Sequence, residues 1–407
     1  MDLSPLRKSR GFRSLFTSQA VTLLGSQATQ VALLFQAREL TGSTLAVGLI
    51  GVAELVPIVF FALYGGLLAD RLDRRTIARL SEAGLCAVAL LLALNAALPD
   101  PALWPLYAGA AAIVSLTALQ RPSLTAAVPR LVAREDLTAA SALLAMAANA
   151  SFIAGAALGG VLAAGPGPAF AFGLDGATFA LSLVLLLGLP RLPRIAAAGE
   201  PEARGLAGLR DGIRYARGRQ ELLGSYLADL LAMTLAFPVA LFPFMAAKLD
   251  AEWALGLMFA APAVGAMLAS VTSRWAGRVH RHGLAVALSA ACWGAAVAGF
   301  GLAPDIGLAL AFLVLGGGAD MLSGIFRDTL WNQTIPDAMR GRLAGIEVVS
   351  YGLGPSAGQL RAGAVASLVG TRAAVWSGGL ACIAAVAATC ALLPRFLTYD
   401  AREERGA

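Results

Sequence analysis

Charge is scarce in this sequence: Asp, Glu, Lys and Arg together make up 14% of its 407 residues. A soluble domain carries about 25%, so this chain lacks the polar residues to coat itself in water. Lysine is nearly absent, with only Lys8 and Lys248 against a large excess of arginine. Histidine is confined to His280 and His282 in one short loop, which reads as a solvated connection. The four cysteines (Cys86, Cys292, Cys382, Cys390) fall inside apolar runs with no CxxC or Cys/His spacing. That pattern argues against disulfides, and neither a metal nor another cofactor is expected. No Ser/His/Asp, Cys/His or HExxH arrangement is present, so an enzyme is not expected. There is no phosphate-binding P-loop either, and any work the protein does should draw on an ion gradient.

Apolar residues are what remains. They make up 58% of the chain, and mean hydropathy is +0.73. Stretches of about 19 such residues recur throughout, long enough to cross a hydrocarbon core of about 30 Å. The predicted spans are 14–38, 44–69, 76–98, 103–126, 138–163, 168–190, 221–247, 252–276, 283–303, 305–330, 341–369 and 371–394. Residues 1–13 are basic and polar, and the apolar stretch behind them is too long for a signal-peptide core, so no cleavable leader is expected. With the N-terminus inside, nearly all of the 31 Lys and Arg residues lie on the cytoplasmic side, leaving Arg38, Lys248 and Arg372 at outer loops. The positive-inside rule favours that orientation, with both termini cytoplasmic. The net charge of +6 is then a one-sided membrane pattern and points to no nucleic-acid partner.

The two halves echo each other at an offset of about 200 residues, as expected of a duplicated chain. Gly66-Leu-Leu-Ala-Asp70-Arg71-Leu-Asp73-Arg74-Arg75 after span 2 has a worn copy in Ser273–Arg278 after span 8. Arg121-Pro-Ser-Leu, with Pro129 and Arg134, matches Arg327-Asp-Thr-Leu, with Pro336 and Arg340. Gly155-Ala-Ala-Leu-Gly159-Gly160 in span 5 matches Gly354-Pro355-Ser-Ala-Gly358 in span 11. The expected architecture is all-α: twelve transmembrane helices in two pseudo-symmetric six-helix bundles. Its parts are a first bundle at 1–190, a linker at 191–220, a second bundle at 221–394 and a tail at 395–407. In the linker, Leu206, Leu209, Ile213 and Ala216 recur at helical spacing beside Arg204, Arg210, Arg214 and Arg217, the pattern of a helix lying on an anionic leaflet.

The stretch Gly66–Arg75 resembles the loop 2–3 motif of the major facilitator superfamily, G-x-x-x-D-R-x-x-R-R. Leu40–Gly48, Ala53-Glu54-Leu-Val-Pro57, Val128-Pro-Arg-Leu-Val and Trp331–Pro336 with Arg340-Gly-Arg342 resemble its enterobactin-exporter-like branch, over essentially the whole chain. That branch contains bacterial siderophore and drug exporters. The resemblance implies the major facilitator fold and a proton-coupled carrier that exports a small organic molecule, a siderophore or an amphipathic drug, by alternating access. One departure stands out: the span 5 exporter pattern G-P-x-x-G-G has Ala156 in place of its proline, and a Gly-Pro pair occurs instead at Gly354-Pro355. An uptake symporter is the alternative within transport, and a non-transporting membrane protein lies outside it. The expected setting is multi-pass insertion in a bacterial inner membrane as a monomer, with protons, the lipid bilayer and a small-molecule cargo as partners. The arginine and alanine bias fits a GC-rich bacterial source.

Ionisable groups at bilayer depth cost about 2.5–3.5 kcal/mol on insertion scales, so each calls for a reason. Glu54 in span 2 and Arg361 in span 11 fall at about 15 Å and 12 Å below the outer surface at 1.5 Å per residue. The resemblance implies that spans 2 and 11 pack against each other, so the two are predicted to pair, with protonation of Glu54 loosening the pair. Glu347, Tyr351, Gly354, Gly358 and Arg361 share one helix face. Asp320, Arg327 and Glu347 form a candidate second cluster nearer the cytoplasm. Asp229 is a further proton-site candidate, since a buried carboxylate binds protons more readily, and Asp175 is expected near the outer interface. In the loop motif Gly66, Asp70, Arg71, Arg74 and Arg75, with Arg121, are assigned to gating, Asp70 against the N-terminus of span 11. Gln19, Ser26 and Gln30 line one face of span 1 and with Tyr351 are the cargo-contact candidates; Phe237, Phe242, Phe244 and Trp331 are candidate apolar walls.

Overall fold

A computed structural model describes residues 2–71, 74–125, 127–188 and 206–402, and within these the side chains of 62–71, 74, 122, 206–209, 337–338, 340–342 and 344–349 lie outside the description. The described chain is helical, with no strand among the described residues. The long helices are α1 (Arg10–Thr41), α2 (Thr44–Arg71), α3 (Arg74–Ala96), α4 (Trp104–Thr125), α5 (Leu137–Ala164) and α6 (Pro168–Leu187). A connecting helix, Leu206–Arg217, precedes α7 (Gln220–Leu235), α8 (Leu255–Thr272), α9 (His282–Leu302), α10 (Ile306–Thr334), α11 (Asp337–Val369) and α12 (Thr371–Leu392). Among the described residues, nine helical stretches are long and apolar enough to cross a membrane. α1, α4 and α11 have the length but carry more polar residues.

Local chemistry sets the ends. Ser9 caps α1 by accepting from Phe12 N at 3.1 Å, and Gly42 closes it in the left-handed region at φ 60°. Asp305 caps α10 through Leu308 N at 2.9 Å. The seventh span, expected as one helix over 221–247, is broken: α7 stops at Leu235, and a 3-10 turn (Val239–Leu241) leads to a short helix, Phe242–Lys248. Pro238 and Pro243 have no N–H to continue the ladder, which accounts for the break.

The chain forms two compact units. The first comprises Met1–Gly42, Val56–Ala198 and Trp253–Ala260; the second comprises Ser43–Leu55, Gly199–Glu252 and Ala261–Ala407. The changes of unit inside α2 and α8 each fall beside a proline, Pro57 and Pro262. A proline frees the carbonyl four residues earlier, so each helix is weakest where its allegiance changes.

In the first unit α1 packs on α5 and α6, and α3 packs on α4 and α6. α5 lies so close to α1 that a Cβ on Gly159 would come within 2.6 Å of Ala28 Cα. The small residues of the span 5 motif therefore serve helix contact. In the second unit α9 packs on α10 and α12, and α7 packs on α11 and α12. The start of α2 docks on α11, where Thr44 Oγ1 donates to Gly363 O at 3.0 Å. Along the connecting helix Arg210, Ile213, Arg214 and Arg217 are exposed, but Tyr215 and Ala216 pack on an aromatic core with Leu222, Tyr226, Leu330 and Trp331. Part of the apolar edge assigned to a lipid surface is thus spent on protein.

Candidate functional site

Among the described side chains, the densest charge constellation inside the helices lies in the second unit. α10 presents Asp320, Arg327 and Trp331 at intervals of seven and four, one face of a helix. α7 brings Asp229, with Ser225 and Tyr226 one turn earlier, and α11 brings Ser350 and Tyr351. Arg327 Nη1 pairs with Asp229 Oδ1, and both side chains are buried, 4% and 5% exposed. Ser350 Oγ donates to the other oxygen, Asp229 Oδ2, at 3.4 Å. The Arg327 guanidinium also lies over two rings, 5.5 Å from the centre of Tyr351 and 5.7 Å from that of Trp331. Those ring faces favour a cation that has left water. Trp331 is fixed in turn: its indole N–H donates to Ser225 Oγ at 2.8 Å, and its ring stacks on Tyr226 at 4.7 Å.

Asp320 lies within electrostatic reach of both Arg327 and Asp229. Among the described side chains here, two carboxylates therefore share one guanidinium. Taking an ion from water into protein costs several kcal/mol, so a second carboxylate beside one guanidinium leaves the buried charge unbalanced. α11 is yielding at the same place, because Pro355 leaves the carbonyl of Tyr351 without its helical donor. The arrangement thus sets a buried charge cluster beside a helix that has lost one internal bond.

The structure joins Arg327 and Asp320, expected together in one cluster, to Asp229, expected as a separate acid, and to Tyr351, expected at the cargo site. Glu347, assigned to the same cluster, lies outside the described side chains. Ser225 and Ser350 went unnoticed in the sequence, since a lone hydroxyl in an apolar helix gives no signal beyond its depth. Trp331 and Phe242 are core residues, 5% and 1% exposed, and not cargo walls. Tyr351 keeps an exposed ring at 47%.

The expected Glu54–Arg361 pair is absent. Arg361 Nη1 donates to the carbonyls of Leu235, at 2.6 Å, and Ala374, at 3.4 Å. Leu235 is the last residue of α7, whose terminal carbonyls have no helical donors, and the guanidinium meets that demand. Glu54 instead accepts from Gln359 Nε2 at 3.3 Å, both side chains being buried. Asp175, expected near an interface, is 1% exposed and fully inside the first unit.

Of the gating residues, Gly66, Asp70, Arg71 and Arg74 lie outside the described side chains. Arg75 donates to Leu187 O at 3.0 Å, and Arg79 reaches Leu186 O and Leu187 O at 3.1 and 2.8 Å. These two arginines cap the C-terminal end of α6, where cations suit the helix dipole. Arg121 is exposed. Gln19, Ser26 and Gln30 on α1 are half-buried, while Thr22 turns back to its own helix, donating to Ser18 O at 3.0 Å.

Solved structures of secondary transporters share this fold. Nucleoside transporter NupG superimposes with a TM-score of 0.73 over 95% of this chain and 98% of that one, at 12% identity. A D-xylose-proton symporter gives 0.72 over 95% and 98%, also at 12%. These likenesses show that the chain shares the helical fold of solved transporters. The sequence profile of the transmembrane secretion effector family matches residues 1–404, and the chain belongs to that family. It is 30% identical over 377 residues to enterobactin exporter EntS of Citrobacter koseri, covering 91% of this chain and 88% of that protein. The EntS of Shigella boydii gives the same identity and coverage.

Proposed function

We propose that this protein is a proton-driven exporter of a small organic molecule, a siderophore or an amphipathic drug, working by alternating access. The observation that carries the coupling is the buried Asp229–Arg327 pair with Asp320 beside it: one cation, two carboxylates and room in the charge balance for one proton. Export, rather than uptake, is supported by the family and by relatives named for enterobactin export.

In this reading α1, α4 and α11 complete a twelve-span chain with both termini in the cytoplasm, inserted as a monomer in a bacterial inner membrane. Its parts are the two bundles at 1–190 and 221–394, the linker at 191–220 and the tail at 395–407. Gln19, Ser26 and Gln30 offer hydrogen bonds to a moderately polar cargo, and the exposed ring of Tyr351 offers an apolar contact. Glu54 is a further proton carrier, and the motif Gly66–Arg75 with Arg121 forms the gate.

The test is accumulation of siderophores and lipophilic dyes in energised everted vesicles, where export appears as uptake. The expected result is accumulation abolished by a protonophore and by D229N. Accumulation that persists with the gradient collapsed contradicts proton coupling. Uptake by intact cells with none in everted vesicles makes the protein a symporter. For Glu54, wild-type pH-dependent flux in E54Q removes it from the coupling path.

A further inference from the structure

The first unit contains a buried polar seam that the cargo and coupling scheme above leaves unused. Glu82 on α3 is 1% exposed, two turns inside its helix. One of its oxygens, Oε1, accepts from Ser182 Oγ on α6 at 2.8 Å and from Gln120 Nε2 on α4 at 2.9 Å. The hydroxyls of Ser182 and of Ser18 on α1 lie 2.6 Å apart, extending the chain of donors to a fourth helix. The other oxygen, Oε2, is buried and has no hydrogen-bond partner. Asp175, Thr178 and Ser182 share one face of α6, so the seam runs on from Glu82 to a second buried acid. Thr178 Oγ1 lies 3.3 Å from Asp175 Oδ1. The approach of α1 depends on Gly25, because a Cβ there would sit 2.6 Å from Asp175 Oδ1.

Among the described side chains, what faces these acids is neutral. α1 offers Ser18, Ser26 and Thr29; α4 offers Gln120; α6 offers hydroxyls besides Asp175 itself. On α3, Cys86 lies close enough to both acids to feel their charge and donates its thiol to Gly176 O at 3.4 Å. α5, which packs on α6, has no acid or base between Leu137 and Ala164. One turn before Glu82, Arg79 donates to the carbonyls that end α6. Burial and the hydrogen bonds from Ser182 and Gln120 are what act on Glu82. Among the described side chains no cation faces this 1% exposed carboxylate to repay its desolvation when ionised. A proton taken from water onto Oε2 removes the charge and leaves both accepted hydrogen bonds in place.

We propose that this seam is a proton-binding site in its own right, with Glu82 as the acceptor and Asp175 as the second acid. It deepens the proton-coupled reading and rests on it for the use made of the proton. Gly25, where α1 meets Asp175, is next to Ser26, a cargo-contact candidate, so the seam adjoins the cargo helix.

The test uses the purified full chain in lipid vesicles, with infrared spectra recorded as pH is raised. An un-ionised buried carboxyl gives a carbonyl band that ionisation removes. The expected result is a titrating band lost in part in E82Q and in part in D175N. E82Q keeps the side-chain shape and the acceptor oxygen; should it fail to insert, D175N and S182A carry the test, S182A shifting the pH at which the band disappears. In everted vesicles E82Q should flatten the pH profile of accumulation. A band unchanged by both acid substitutions, or a wild-type pH profile in E82Q, overturns the proposal. Export by the wild type that ignores a protonophore sinks the coupling reading instead, and the infrared band still decides whether the seam binds protons.

Discussion

Inside each unit two carboxylates stand near one another, and each pair is held differently. In the second unit Asp229 and Asp320 stand by Arg327, so charge is met with charge. In the first, Glu82 and Asp175 are met by hydroxyls and an amide. Neutral donors can hold a carboxyl group in place but cannot balance its charge, whereas a guanidinium does both. The contrast separates a site that keeps an ion pair and adds a proton from one that is settled only when protonated.

Removing the cation should break that contrast most severely. R327M leaves two acids buried without a counter-charge, and cutting one partner from a buried pair costs about 3–5 kcal/mol. Thermal unfolding in detergent should show the loss, and transport should vanish. Adding D229L should recover much of the stability, because an apolar pair tolerates burial, without restoring transport. Recovery of transport in the double variant would reduce the cluster to scaffolding.

A smaller effect is expected from R361A. It strips the cap from Leu235 O, a cost of about 1–3 kcal/mol, and should lower the unfolding temperature while leaving the pH profile of export in place. A lost pH profile would return Arg361 to the coupling path. S182A should cost about 1 kcal/mol by deleting one hydrogen bond to Glu82, measured again by unfolding.

The smallest effect lies at the surface. Lys8 Nζ pairs with Asp136 at 3.1 Å, and those hydrogen bonds raise the lysine above its ordinary value of 10.5. The sign follows from that direction: the contact contributes fully below the ordinary lysine value and is lost as pH climbs through the raised one. Proteolysis of the N-terminal arm should accelerate only in strongly alkaline buffer, and K8M should remove that pH dependence.

The class of the protein was legible because a membrane imposes length and polarity on every span. The second-unit cluster was legible in part, since Asp229, Asp320 and Arg327 each break an apolar run. Their partnership was not, because depth along a helix says nothing of which face meets which neighbour. Arg361 illustrates the same gap: it lies at the depth of Glu54, yet the end of α7 offers it unpaired carbonyls that no sequence motif announces. Glu82 was hidden for another reason. It follows Arg74, Arg75 and Arg79 so closely that it reads as the polar rim of a span, and only the packing of α6 on α3 reveals it as buried.

The most direct test of the account is the pH dependence of cargo accumulation in everted vesicles carrying wild type or D229N at equal membrane density. A carrier that moves its proton through this cluster should lose about tenfold or more of its gradient-driven rate in D229N, equivalent to about 1.4 kcal/mol or more of barrier, while still exchanging cargo without a gradient. A D229N protein with the wild-type rate and pH profile would contradict it.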